Sequence, residues 1–339
     1  MALSKELDTL IKGLNKQFGG RITKGSDIPY LRRIPIGNPA YDEVSGGGTP
    51  LGRATELVGK PSSGKSHHAI LNIIAFQKQN WKLIDESFEE ERAVVYVDTE
   101  GTLDVSWCEH LGVDMGKLIH IVPKTVNDAV DVTQAFLLQK DVCLVVFDSL
   151  SAVGAPDEAE KGSESQQMAL NARFWDKSRR VWQTSMNYNR ENLPTMIFIN
   201  SLTTNVGQMF GDPEKPKNGV GVDHYKSMSI KFTLLKEEKI GDKVVGRRLS
   251  LKAIKNKTAK AYSTRQCYLC MVSESYRKAG YIDDLGVLVE IGVEQDIIQT
   301  AGAYFKYAGL NIQGAEKFKQ TLLDNDLVND LRAEVYATF

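Results

Sequence analysis

The stretch Gly59-Lys60-Pro61-Ser62-Ser63-Gly64-Lys65-Ser66 constrains this chain more than any other. It fits the phosphate-binding pattern G-x-x-x-x-G-K-[ST] at every required position. Its two glycines let the backbone curl until several N–H groups face inward onto an anion. Lys65 brings a point charge for the outer phosphates of a nucleotide, and Ser66 brings a hydroxyl for a magnesium ion. The flanks suit the device. Ala54 to Val58 reads as a strand and His67 to Lys78 as an amphipathic helix, so a bound phosphate would rest on a positive helix N-terminus.

Strands are expected at 54–58, 93–98, 142–147, 195–200, 227–235, 248–255 and 266–272. The earlier ones, such as Val94-Val95-Tyr96-Val97 and Val142-Cys143-Leu144-Val145-Val146-Phe147, are near-continuous apolar runs. Strands buried on both faces of a parallel sheet have that signature. Helices at roughly 65–79, 127–139 and 165–188 would cover the two faces. The expected fold class is therefore α/β, a mostly parallel, doubly wound sheet with its ligand at the carboxyl ends of the strands. The last strands read as antiparallel around the polar turn Gly241-Asp242-Lys243.

Three regions are expected: 1–33, 34–275 and 276–339. The first is a helix to about residue 18, with Leu3, Leu7, Leu10, Ile11 and Leu14 on one face, followed by a basic, turn-rich linker. That apolar stripe either packs on its own domain or docks on another subunit. The last is a small α-rich unit, with helices near 284–301 and 312–336 either side of an aromatic ribbon, Tyr304-Phe305-Lys306-Tyr307.

Charge is nearly balanced, at 42 basic and 43 acidic residues, so any nucleic-acid binding must come from a local surface. No apolar run reaches membrane-spanning length, so no membrane association is expected. The N-terminus lacks the apolar stretch of a secretory signal, and the four cysteines suit a reduced compartment, so a cytoplasmic location is expected. Cys267 and Cys270 have C-x-x-C spacing but lie in a strand-like run that points them to opposite faces, and they read as ordinary strand residues.

Two acidic strand ends carry further chemistry. Asp148 closes the apolar run from Val142, where a rigid strand would aim a magnesium-supporting carboxylate at the nucleotide. Such an acid can instead cap the next helix, but its place well downstream of the phosphate loop favours the magnesium role. Asp98-Thr99-Glu100 closes another strand. Glu100 is placed either to polarise an attacking water beside the terminal phosphate or simply to be solvated.

The chain resembles the RecA-type recombinases over nearly its whole length. The resemblance is carried by Gly59–Ser66, by Asp98-Thr99-Glu100-Gly101-Thr102-Leu103-Asp104 and by Leu111-Gly112-Val113-Asp114. It continues through Phe147-Asp148-Ser149, Val206-Gly207-Gln208-Met209-Phe210-Gly211-Asp212-Pro213-Glu214, Lys255-Asn256-Lys257 and Ala301 to Tyr307. The resemblance implies a RecA-like ATPase core that uses ATP and Mg2+, with Gly59 to Ser66 and Asp148 at the nucleotide and Glu100 as the catalytic glutamate. Asp104 and Trp107 match positions that contact the adenine base, where an indole can stack on a purine. Lys255 and Lys257 match a pair that reaches across a subunit interface to a neighbour's phosphates, as an arginine finger does.

It also implies two DNA-binding loops, at about Ala155–Leu170 and Leu202–Val222. Met168 and Val206 match apolar side chains that wedge between bases, and Arg173 and Arg180 match phosphate contacts on one helix face. Gly207, Met209, Phe210, Asn218 and Gly219 belong to the second loop. The partners implied are single-stranded DNA, homologous duplex DNA, further copies of the chain in a helical filament, and single-strand-binding and loader proteins.

The chain departs from the family pattern at three places. Ser201 stands where relatives carry a glutamine that senses the terminal phosphate, Thr203 replaces a nearby arginine, and His224 an interface phenylalanine. The C-terminal region from residue 276 is acidic, with ten Asp or Glu against six Lys or Arg. The principal reading is an ATP-dependent recombinase that pairs and exchanges strands. The departures keep open a second reading, an accessory or mediator filament protein with little hydrolysis. A ring-forming helicase on the same core is a third, opposed by the paired loops and the segment around Phe210.

Overall fold

A computed structural model describes residues 4–18, 22–151, 164–204, 214–216, 225–273 and 278–339. The chain divides into two compact units, 1–32 and 33–339. The first contains helix α1 (Lys5–Phe18), with Glu6 and Asp8 in its first turn and Lys16 in its last, the polarity that suits the helix dipole. Lys24 pairs with Asp8 at 2.7 Å, and the Asn15 side chain bonds both backbone groups of Ile22, folding the linker back along the helix. Leu7 and Leu10 of the apolar stripe are exposed.

The second unit opens with β1 (Arg33–Ile34), α2 (Pro39–Ser45) and β2 (Thr49–Pro50). Alternating elements follow: β3 (Ala54–Gly59), α3 (Lys65–Gln77), β4 (Ala93–Asp98), α4 (Val105–Leu111), β5 (Leu118–Ile121), α5 (Val126–Leu137), β6 (Val142–Asp148), α6 (Glu164–Tyr188) and β7 (Thr195–Thr204). After β8 (Glu214–Pro216) come β9 (Met228–Ile240), β10 (Lys243–Asn256), β11 (Thr264–Cys270) and β12 (Ile282–Asp283). The described residues form a ten-stranded sheet of order β12-β11-β10-β9-β3-β7-β6-β4-β5, with β8 paired to β7. Strands β3, β4, β5, β6, β7 and the start of β9 run parallel, while β9 to β12 form an antiparallel meander.

The alternation of side chains explains the continuous apolar runs. Val94, Tyr96, Leu144, Val146, Ile197 and Ile199 enter one core cluster, whereas Val95, Val97, Val145, Phe147, Met196 and Phe198 enter another. Helix α3 covers the first face with Ile70, Ile73 and Phe76, and α5 and α6 cover the second with Ala129, Trp175 and Trp182. Each fully buried aliphatic or aromatic side chain is worth about 1.5–3 kcal/mol. A capping box between Thr125 and Asp128 starts α5. Cys267 and Cys270 are both buried with free thiols.

The C-terminal region differs from the expected pair of helices. Helix α7 (Leu285–Glu294) stops well short of residue 301: Asp296 adopts φ 58° and Ile298 N–H returns to Gly292 O at 2.9 Å. The chain then forms a three-stranded antiparallel meander, β13 (Gln299–Ala301), β14 (Tyr304–Tyr307) and β15 (Leu310–Gln313). The expected helix over 312–336 is two helices, α8 (Ala315–Asp324) and α9 (Val328–Tyr336), broken where Asp326 takes φ 55°. Leu288, Ile291, Phe318, Leu322, Leu331 and Val335 are fully buried and join the first core cluster.

Candidate nucleotide site

The phosphate loop joins β3 to α3 at the carboxyl edge of the sheet, and its backbone demands glycine twice. A Cβ on Gly59 would stand 2.5 Å from both Phe232 O and Ser63 Oγ. Gly64 holds φ 93° as the N-cap of α3, and a Cβ there would stand 2.7 Å from Leu249 Cδ1. Lys65 is buried and curls over the loop, its Nζ donating to Gly59 O at 2.9 Å and Lys60 O at 2.8 Å. Burial lowers its pKa, and the nearby Asp148 and Glu100 charges oppose that. Ser63 Oγ is buried without a hydrogen-bond partner. The loop thus offers a cramped cradle, a buried ammonium and an unmatched hydroxyl, which fits an anion.

Beside it, Ser66 Oγ donates to Asp148 Oδ2 at 3.0 Å, and Tyr96 Oη donates to the same oxygen at 2.7 Å. Burial raises the Asp148 pKa, while those two hydrogen bonds pull the other way. A hydroxyl and a carboxylate already in contact form an oxygen-only donor set, which suits Mg2+. Glu100 sits on the turn after β4 and accepts a hydrogen bond on Oε1 from Ser149 Oγ at 2.9 Å. Asp98 builds that turn. Its carboxylate accepts from the backbone N–H of Gly101 at 2.8 Å and Leu103 at 2.9 Å, with His120 Nε2 3.2 Å away. Burial tends to raise Asp98, but the Leu103 amide, His120 and the Thr102 and Gly101 amides outweigh it and hold the carboxyl below its ordinary value.

The geometry therefore gathers Gly59, Lys60, Pro61, Ser62, Ser63, Gly64, Lys65, Ser66, Asp148 and Glu100 at the carboxyl ends of β3, β6 and β4. Asp104 and Trp107 lie further along the same edge. Asp104 caps α4, with Oδ1 accepting from Trp107 N–H at 3.1 Å. The Trp107 ring stacks on His110 at 5.2 Å, and its edge lies so close to Gly280 that a Cβ there would stand 2.9 Å from it. His67 occupies the third position of α3 with its Nε2 buried and unpaired, and burial lowers its pKa to about 4.

Lys255 and Lys257 are not part of this cluster. The sheet register sets Lys255 beside Ser229, and Ser229 beside Glu56; Lys257 N–H bonds Ser227 O, and Ser227 N–H bonds Ala54 O. Both lysines are thus level with the amino end of β3, Lys257 about 16 Å along the strand from Gly59. Arg173, Lys177 and Arg180 are exposed on one face of α6, opposite the buried Trp175, Ser178 and Trp182, and Arg180 pairs with Asp176 at 2.6 Å. Val206, Gly207, Met209, Phe210, Asn218, Gly219 and His224 lie outside the described residues, as does the Met168 side chain. Sequence reasoning missed Tyr96, Ser149 and Glu214. The Glu214 carboxylate joins Lys60 Nζ (2.6 Å) to Lys231 Nζ (2.8 Å). Ser149 and Glu214 lie in segments that carry the resemblance, but the contacts of all three are silent in the sequence, because each partner is distant along the chain.

Comparison with known proteins adds independent findings. The family model described as the RecA N-terminal domain matches residues 5–274, and that of the RecA C-terminal domain matches 286–339. Protein RecA of Oceanobacillus iheyensis is 31% identical over 327 residues, covering 95% of this chain and 88% of the relative. Protein RecA of Bacillus licheniformis is 32% identical over 324 residues, covering 94% and 87%. That of Staphylococcus carnosus is 31% identical over 341 residues, covering 98% and 90%.

Proposed function

The chain belongs to the RecA family, and from that premise we propose that it is an ATP-dependent recombinase. On this reading it assembles into helical filaments on single-stranded DNA, hydrolyses ATP there, and pairs the bound strand with a homologous duplex. The observation that carries the reading is the convergence of Lys65, Ser66, Asp148 and Glu100 at the carboxyl ends of β3, β6 and β4, each with a different role to fill.

Lys65 holds the outer phosphates. Its present contacts are to carbonyls of its own loop, and a phosphate oxygen offers the ammonium a charged acceptor instead. Ser66 and Asp148 would hold Mg2+, which neutralises charge on the phosphate oxygens when bound. Asp148 is kept ready by Tyr96, which donates to it from inside the sheet. Glu100 takes a proton from the attacking water as that oxygen bonds the terminal phosphorus, while the bond to the bridging oxygen breaks and ADP and phosphate leave. Trp107 and Asp104 would contact the base. Arg173, Lys177 and Arg180 give α6 a positive face for a phosphate backbone, which positions DNA without reading its sequence. The wide separation of Lys255 and Lys257 from their own phosphate loop supports a role toward a neighbouring subunit. The exposed apolar stripe of α1 would dock on the next subunit. Loader and single-strand-binding proteins are further proposed partners. No helix among the described residues is long and apolar enough to cross a membrane.

One observation favours the second reading, an accessory filament protein. Ser201 and Thr203 lie at the end of β7, and neither side chain has the reach of glutamine or arginine. The deciding experiment is ATP hydrolysis with and without long single-stranded DNA at low and moderate salt. Stimulation by single strands that fades as salt rises is expected. A slow, flat rate despite DNA binding would replace the recombinase reading with the accessory one.

A further inference from the structure

Glu100 is exposed, so its rotamer is set by what holds it. Ser149 Oγ donates to its Oε1 at 2.9 Å; Ser149 Oγ also lies 2.9 Å from Ser151 Oγ, which lies 3.0 Å from Ser201 Oγ. The three hydroxyls make an unbroken chain from the carboxylate to β7. Each hydroxyl has one proton to donate. An ionised Glu100 can only accept, so the Ser149 proton is committed to it. Ser149 then has only lone pairs to offer, and Ser151 must donate. The same reasoning makes Ser201 the donor to Ser151. The charge on Glu100 therefore sets the direction of all three bonds, and bonds in such a chain strengthen one another.

The far end of the chain is also fixed. Ser201 N–H donates to Asn200 Oδ1 at 2.9 Å, and Asn200 Nδ2 donates to Glu56 Oε1 at 2.9 Å, which ties residue 201 to the strand that enters the phosphate loop. Just beyond it, Thr203 and Thr204 pair with Lys215 and Glu214 of β8, and the Glu214 carboxylate returns to Lys60 of the phosphate loop.

We propose that Ser151 and Ser201 are positioning residues. Acting through Ser149, they hold Glu100 in place and register its hydrogen-bonding state at the end of β7, so that the hydrolytic site and the β7–β8 pair respond to each other. The proposal rests on the reading of Glu100 as the residue that activates water. A water donating to Oε1 of Glu100 competes with Ser149 for that oxygen. Loosening that first bond removes the constraint that oriented the other two. The serine at 201, too short to reach Glu100 itself, reaches it through two other serines.

The test uses the full chain with Ser151→Ala, Ser201→Ala, the double variant and Ser201→Thr. Two quantities are read: kcat and KM for ATP with single-stranded DNA, and the ratio of DNA affinities with a non-hydrolysable ATP analogue and with ADP. Each single alanine should lower kcat about 10-fold while KM stays within about twofold, and should bring the affinity ratio close to one. The double variant should be no worse than the weaker single, because a chain broken once is broken. Ser201→Thr, which keeps the hydroxyl, should restore both quantities. A DNA-stimulated wild type whose alanine variants keep kcat and the affinity ratio overturns the proposal alone, as do losses that multiply in the double variant. A wild type that does not hydrolyse ATP overturns both the proposal and the functional reading beneath it.

Discussion

Replacing Lys226 by methionine should destabilise the protein by about 3 kcal/mol. Lys226 and Glu56 form an ion pair with side-chain exposures of 1% and 0%. Removing one partner from such a pair costs about 3–5 kcal/mol, because the other charge stays buried without its counter-charge. Two donors remain on Glu56, Ser229 Oγ at 2.6 Å and Asn200 Nδ2 at 2.9 Å. Hydrogen bonds to a charged group keep about 1.5–3 kcal/mol each, which places the loss at the low end of that range. Methionine fills nearly the lysine volume, so a cavity adds little. Adding Glu56→Gln removes the remaining charge, and the double variant should recover about 2 kcal/mol relative to Lys226→Met. Urea denaturation followed by the buried Trp81, Trp175 and Trp182 reads these differences as midpoint shifts, about 1 M for the single variant if the slope is unchanged. A Lys226→Met protein within 1 kcal/mol of wild type, roughly the scale of an exposed pair, would refute the reasoning. So would a double variant no more stable than the single one.

Glu100→Gln should bind ATP with near wild-type affinity yet turn over about 100-fold more slowly or worse; single-turnover hydrolysis beside nucleotide titration checks this, and an unchanged rate assigns the base elsewhere. Lys257→Ala and Lys65→Ala should each lose DNA-dependent hydrolysis, and mixing the two proteins should restore part of it, since each supplies the group the other lacks across an interface. No recovery on mixing would place Lys257 outside any site in trans. Burial raises Asp42 from 3.8 to about 7, opposed by hydrogen bonds from Tyr336 and from the Ile36, Gly37 and Asn38 amides. The native state therefore binds the extra proton: this contribution is complete below about pH 4 and lost as pH rises through 7. Tyr336→Phe, which removes the hydroxyl 2.7 Å from Asp42 Oδ2, should cost about 2 kcal/mol at pH 8 and about 1 kcal/mol at pH 5. Denaturation at both pH values checks it, and an equal or reversed cost would show that Asp42 keeps one protonation state throughout.

The parallel half of the sheet was legible because both its faces are buried, which leaves whole strands apolar, as in Val142 to Phe147. The phosphate loop was legible because its backbone requirements fall on particular positions, Gly59 and Gly64. The C-terminal region was misread where short strands resemble helix ends. Ile297-Ile298 continues the apolar pattern of α7, and nothing in Asp296 or Asp326 announces the left-handed backbone that ends one element and starts the next. Glu56 reads as an unremarkable polar residue in a strand, and only Lys226, 170 positions away, shows why it is buried. The serine chain is silent for the same reason, since Ser151 and Ser201 meet only after two strands have been laid side by side. Trp107 and Asp104 were placed by resemblance, and the cap on α4 supplies the local reason for their geometry.

Strand β9 also divides the protein's assembly in time. Its pairing with β10 is closed by the tight turn at Gly241-Asp242, whereas its pairing with β3 joins residues 173 positions apart, as Ser229 and Glu56 are. Closing a short loop loses little chain entropy, and closing a long one must wait for the elements between to condense. The meander from β9 to β11 can thus form as a local nucleus, and the phosphate loop gains its rigid platform only when β3 docks on that edge. Pulse-labelled hydrogen exchange should find the amides of β10 protected before those of β3; the reverse order would make the nucleotide-binding half the nucleus instead.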